Sequence, residues 1–86
     1  MINRNQGNTI EKALKKPEDI KVTVNVKGMP LSLLREGRRE RITKIYDRWR
    51  VETEKDYFRV KTSRGLVYDI YHDIPNNRWY LAKIYD

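Results

Sequence analysis

The chain has 86 residues, no cysteine and a net charge of +7, with 38% hydrophobic and 36% charged residues. So short a chain makes one domain with a small core, and without cysteine it has neither a disulfide staple nor a thiolate to bind metal or act as a nucleophile. No stretch approaches the roughly 20 apolar residues that span a bilayer. Residues 1–10 lack the apolar run of a secretory signal, and a cysteine-free composition fits a reducing compartment. The expected location is therefore cytoplasmic, away from any membrane.

In chain order, residues 1–19 read as a flexible tail with a short helix, and residues 20–86 as the domain proper. Met1 to Gly7 is polar and asparagine-rich, which suits a loose terminus. Within residues 8–16, Asn8 or Thr9 offers a cap, Ile10, Ala13 and Leu14 make a short apolar stripe, and Pro17 stops the run, so the spacing predicts one or two helical turns. From Ile20 the period becomes two. Ile20, Val22, Val24 and Val26 face one way, and Lys21, Thr23, Asn25 and Lys27 the other, which is the pattern of a half-buried strand.

Lys27-Gly28 is the first predicted turn, and Met29–Arg35 the return strand. Pro30 cannot donate to a ladder, so its end of that strand is expected at a sheet edge. Glu36-Gly37 turns the chain into a third strand, Arg39–Trp49. After a polar loop around Thr53–Asp56 comes a strand at Tyr57–Thr62, a turn at Arg64-Gly65, a strand at Leu66–His72, a turn at Pro75-Asn76-Asn77 and a last strand at Arg78–Tyr85. Glycine supplies positive φ, proline presets φ, and asparagine tolerates the left-handed region, so each turn has a mechanism. Six short strands with no room for a crossover helix predict a mainly β fold: an antiparallel meander closing into a small barrel or half-open barrel. Val22, Val24, Val26, Phe58, Val60, Ile70, Trp79 and Leu81 are the expected core.

Charge is unevenly placed. Residues 1–20 carry +1, residues 21–50 carry +6, and residues 51–86 are neutral. The excess is densest in Arg35, Arg38, Arg39, Arg41, Lys44, Arg48 and Arg50. Arginine presents a planar fork of donors that suits phosphate, carboxylate and stacking on flat rings. Trp49 lies among these arginines, and single-strand binders stack bases on such rings while cations follow phosphates. Arg35, Arg38, Arg39, Arg41, Arg48, Trp49 and Arg50 are therefore the candidate binding residues for nucleic acid or another polyanion. The competing reading is a solvated strand face that keeps a β protein soluble. Strand alternation also sends neighbours such as Arg38 and Arg39 to opposite faces.

Catalytic signals are sparse. The single histidine, His72, has no cysteines to help it build a common zinc site, and no serine stands in a recognisable nucleophile setting. Asp47, Asp69, Asp73 and Asp86 are strand-end carboxylates of the kind turns favour. Gly7, Gly28, Gly37 and Gly65 are isolated and make no phosphate loop. No catalytic residue, metal or cofactor is expected, and the chain reads as a non-enzyme.

The strings Ile45-Tyr46-Asp47-Arg48-Trp49-Arg50, Asp56-Tyr57-Phe58-Arg59-Val60-Lys61-Thr62, Asp69-Ile70-Tyr71-His72-Asp73 and Arg78-Trp79-Tyr80-Leu81-Ala82-Lys83-Ile84-Tyr85-Asp86 resemble an uncharacterised bacterial domain-of-unknown-function family of short β proteins. Similar segments are found near Y-family-like translesion polymerase components. The resemblance covers residues 20–86 and implies a small β domain. Val51 to Lys55 is short and lacks the tryptophan-rich loop that often precedes the Tyr-Phe-Arg-Val string. Two functions follow from the sequence: a nucleic-acid-associated accessory domain that holds single-stranded nucleic acid on its arginines, or a protein-interaction module that docks an acidic partner or adds a strand at the edge near Pro30.

Overall fold

The computed structural model describes residues 11–85. Six antiparallel strands follow one another: β1 (Glu11–Val24), β2 (Pro30–Arg35), β3 (Arg38–Val51), β4 (Lys55–Thr62), β5 (Val67–Asp73) and β6 (Arg78–Tyr85). Each pairs with the next and β6 returns to β1, closing a barrel. The two long strands make closure possible by serving two neighbours each. β1 pairs with β6 through Ile20 and with β2 from Lys21 onward. β3 pairs with β2 through Arg41 and with β4 from Ile42 onward. Bulges between Ile42 and Lys44 and between Ile45 and Asp47 mark where β3 bends, as extra residues in one strand do.

The glycine and asparagine turns form where their residues predict them, whereas the loop expected at Thr53–Asp56 falls at residues 52–54, with Glu52 at a φ of 56° and Asp56 already inside β4. Glu36 and Gly37 both take positive φ, 52° and 74°, and set Arg35 opposite Arg38, as a tight two-residue hairpin requires. At the β1–β2 turn, the backbone N–H groups of Lys27 and Met29 donate to Asn25 Oδ1 at 2.9 and 3.0 Å. Pro30 pairs with Val24 on β1, while the ladder to β3 starts at Ser32, so the missing N–H falls where β2 has only one neighbour.

The barrel is filled by Ile20, Leu33, Phe58, Val60, Tyr68, Ile70 and Leu81. Phe58 packs on Trp79 with ring centroids 5.7 Å apart. Apolar burial of this kind is the main favourable term in folding. One carboxylate sits among these side chains: Glu40, with 0% of its surface exposed, accepts from Thr62 Oγ1 at 2.7 Å and from the Tyr68 hydroxyl at 3.0 Å.

Two expectations need correction. The predicted helix is absent: residues 11–16 belong to β1, and residues 8–10, like the tail at 1–7, lie outside the described residues. Glu11, Lys12 and Ala13 pair with Tyr85, Ile84 and Lys83, and the register breaks between Ala13 and Glu18, around Pro17. Pairing with β6 satisfies the backbone here, whereas an isolated helix this short gains little. The valine stripe is also less buried than its alternation implies. Val22 is half-buried, Val24 is 40% exposed and Val26 is fully exposed, and Trp79 is half-buried rather than enclosed. Val26 falls in the turn, past the end of the wall, so its place in the alternation no longer points at anything. Among the described residues no helix is long and apolar enough to cross a membrane.

Candidate polyanion-binding face

Phe58 and Val60 point inward, so Tyr57, Arg59 and Lys61 point outward, and the register carries this division to every strand. Leu33 and Glu40 face each other and are buried. Their neighbours therefore form two outward rows across β1, β2 and β3: Lys21–Leu34–Arg39 and Thr23–Ser32–Arg41. Further along β3, Lys44 stands directly opposite Lys61 of β4.

Lys21, Arg39, Arg41, Lys44 and Lys61 are all exposed. These rows contain no carboxylate. Arg39 Nη1 touches only Ser32 Oγ, at 3.2 Å, and Lys44 Nζ lies 4.8 Å from the centre of the Tyr46 ring. Like charges placed directly opposite on a sheet are destabilising, yet Lys44 and Lys61 are so placed.

The seven residues singled out from sequence separate. Arg39 and Arg41 share the outward rows, while Arg38, exposed at the β2–β3 turn, stands opposite Arg35 and shares its alternation. Arg35, Arg48 and Arg50 follow the other alternation and hold carboxylates. Arg35 Nε reaches Glu18 Oε2 at 2.9 Å, and its guanidinium lies over the Tyr68 ring at 5.7 Å. The hydrogen bond to Glu18 raises the Arg35 pKa further above its ordinary value, against the effect of burial. Arg48 grips Asp56 with two bonds, 2.7 and 3.2 Å, and covers Phe58. Arg50 reaches the same carboxylate at 3.5 Å. The hydrogen bond from Arg48 holds the Asp56 carboxyl below its ordinary pKa although burial opposes this. Arg35 is thus neutralised by Glu18, whereas Arg48 and Arg50, both half-exposed, share one carboxylate and together keep one net positive charge.

Trp49 is outward and half-buried, and it heads a row of rings that crosses four strands. Trp49 stacks on Tyr57 with centroids 5.3 Å apart and planes 13° apart. Tyr57 meets Tyr71 at 4.9 Å, and Tyr71 meets Tyr80 at 5.2 Å. The neighbouring outward row, Asp47–Arg59–Asp69–Lys83, alternates in charge. Arg59 Nε binds Asp69 Oδ1 at 2.9 Å, with its guanidinium 5.5 Å from the Trp49 ring centre and 4.9 Å from that of Tyr85. So β3 carries free cations at one end of its outer side and the ring row at the other.

Lys21, Lys61 and the tyrosines escaped the sequence reading. Lys44 was counted only as part of the charge. Trp49, Tyr57, Tyr71 and Tyr80 come one from each strand from β3 to β6, and their alignment into a row depends on a register the sequence does not print. Asp47, Asp69 and Asp73 do not gather: among the described residues no three acidic or histidine side chains stand close enough to hold a metal ion. Comparison with protein-family models, curated proteins and solved structures returns no match.

Proposed function

We propose that this chain is a non-catalytic binding module that holds single-stranded nucleic acid on its outer surface, with Lys21, Arg39, Arg41, Lys44 and Lys61 following phosphates. The observation that carries the reading is the Lys44–Lys61 pair, set on the same outer side of β3 as Arg39 and Arg41. A face evolved only for solubility gains nothing from two ammonium groups opposite each other, whereas a polyanion lying across them turns the repulsion into attraction. The ring row, which lies beyond the intervening Asp47–Arg59–Asp69–Lys83 row, favours a single strand over a duplex, because unpaired bases present their flat faces.

The test is a titration of labelled single-stranded and duplex oligonucleotides at low and moderate salt, with the wild type and an Arg39→Ala, Arg41→Ala, Lys61→Ala variant. Expected are tighter binding of the single strand, a steep fall of affinity with salt from counterion release, and loss of binding in the variant. No binding at low salt, or equal binding by the variant, favours the other reading, a module that docks an acidic protein. The exposed Val24 and Val26 support that second reading, together with the neighbouring groove of about 750 Å³ between β1 and the start of β6.

A further inference from the structure

Resting on the single-strand reading, we infer that the aromatic row takes one nucleobase, and takes it at Trp49. The row has four rings, but most of their faces are already used. Tyr57 is sandwiched between Trp49 and Tyr71, and Tyr71 between Tyr57 and Tyr80. Tyr71 is buried as a result, and Lys55 Nζ lies 5.4 Å from its ring centre. A base cannot enter between rings 4.9 to 5.3 Å apart without breaking the row. Only a ring at the end of the row has a face to offer.

Trp49 is such an end. One face of its indole lies on Tyr57, the Arg59 guanidinium stands 5.5 Å from its ring centre, and among the described residues no second ring stacks on it. From Ile42 onward β3 pairs only with β4, so no strand stands beyond Trp49 on that side. Tryptophan has the largest π-face of any side chain, and stacking a base on an aromatic is sequence-tolerant because every base has such a face. Lys44 lies on the outer side of the same strand, five residues before Trp49 and roughly 13–16 Å along it at the rise of a strand, so it can meet a phosphate further along a bound strand. At the far end of the row, Tyr80 is paired with Asp19 of β1, so a neighbouring strand stands beyond it, as none does beyond Trp49.

The other indole, Trp79, stacks on His72 at 4.7 Å and on Phe58 inside the barrel, so the two fluorophores report on different places. The experiment titrates the full chain with two probes of equal length and charge: an oligothymidylate and the same backbone with abasic sites throughout. Expected are tighter binding of the base-bearing strand, quenching of the emission that Trp49→Phe removes, and a roughly 5- to 150-fold loss of affinity for that strand in Trp49→Leu. Trp49→Leu keeps apolar volume beside Tyr57 but has no ring face, and an unchanged thermal midpoint confirms that it folds. In Trp49→Leu the two probes should bind alike. Equal binding of both probes by the wild type, with no quenching, overturns the inference while leaving the polyanion face standing. Failure of both probes to bind overturns the single-strand reading itself.

Discussion

The Tyr68 hydroxyl of β5 lies 3.1 and 3.0 Å from the two carboxylate oxygens of Glu40 on β3, so one side chain reaches across the barrel to saturate a charge that has no solvent. Thr62 Oγ1 adds a second donor, and Arg64 Nη1 stands 3.7 Å away, half-exposed. A buried carboxylate is tolerated only with such partners. Tyr68→Phe removes the longest-reaching donor and leaves the carboxylate in place. It should lower unfolding free energy by about 1–3 kcal/mol in a urea titration, the penalty for an unsatisfied buried group. Glu40→Leu combined with Tyr68→Phe should lose less than the two single changes added together, because no charge is then left unpaired.

Acid should unfold the barrel partly through Asp56. Its folded pKa lies below the ordinary value because Arg48 donates to it, while in the unfolded chain it titrates near about 3.9. A group whose folded value is depressed contributes its full stabilisation above the unfolded value and loses it as pH falls through the folded one. The wild-type urea midpoint should therefore drop between neutral pH and about pH 3. Asp56→Asn should start lower at neutral pH and fall less over the same range. Equal pH dependence in the two proteins would show that the Arg48 pair does not set acid stability.

Most of the fold was legible because two local signals agreed. Alternation placed Phe58, Val60, Ile70 and Leu81 inside, and glycine or asparagine marked four of the five turns, the exception being the β3–β4 turn, where Glu52 takes the positive φ. The failures came where a partner distant in sequence decides. Residues 11–16 have a helical stripe, but β6 offers them a ladder, and tertiary pairing overrides weak propensity. Glu40 was passed over inside a run of charge, although it shares parity with Ile42 and so was bound to point inward. The arginine cluster was legible as composition and misleading as a surface. Arg35, Arg48 and Arg50 found carboxylates at Glu18 and Asp56, and no spacing in the sequence names those partners.

Two apolar side chains of the strand-forming kind should behave in opposite ways. Phe58 is 1% exposed and touches Trp79, whereas Val26 is fully exposed in the β1–β2 turn. Phe58→Ala should destabilise by about 3–5 kcal/mol through lost transfer energy and the cavity left behind, enough to unfold much of a domain this small at 37 °C. Val26→Ser should change stability by less than about 0.5 kcal/mol, as surface substitutions do. If Val26→Ser weakens binding to some protein without touching stability, the exposed valines belong to a docking surface.

The arginines should separate into two functional kinds by their salt dependence. Arg39 is exposed and bonded only to a serine hydroxyl, while Arg35 is 16% exposed and bound to Glu18. If phosphates replace counterions on the outer rows, log Kd rises with log salt in proportion to the number of contacts. Arg39→Ala should then flatten that slope by about 0.7–1 unit for a single strand and weaken all sequences alike, with stability nearly unchanged. Arg35→Ala should do the reverse. It should leave the slope as it is, because that guanidinium is already neutralised, and lower unfolding free energy by roughly 1–3 kcal/mol as Glu18 loses its charged hydrogen bond. Oligonucleotide titrations at several salt concentrations, read beside urea unfolding of the same two variants, measure both quantities. Equal slopes for wild type and Arg39→Ala would remove that residue from the phosphate path and confine any binding face to the Lys44–Lys61 side of β3 and β4.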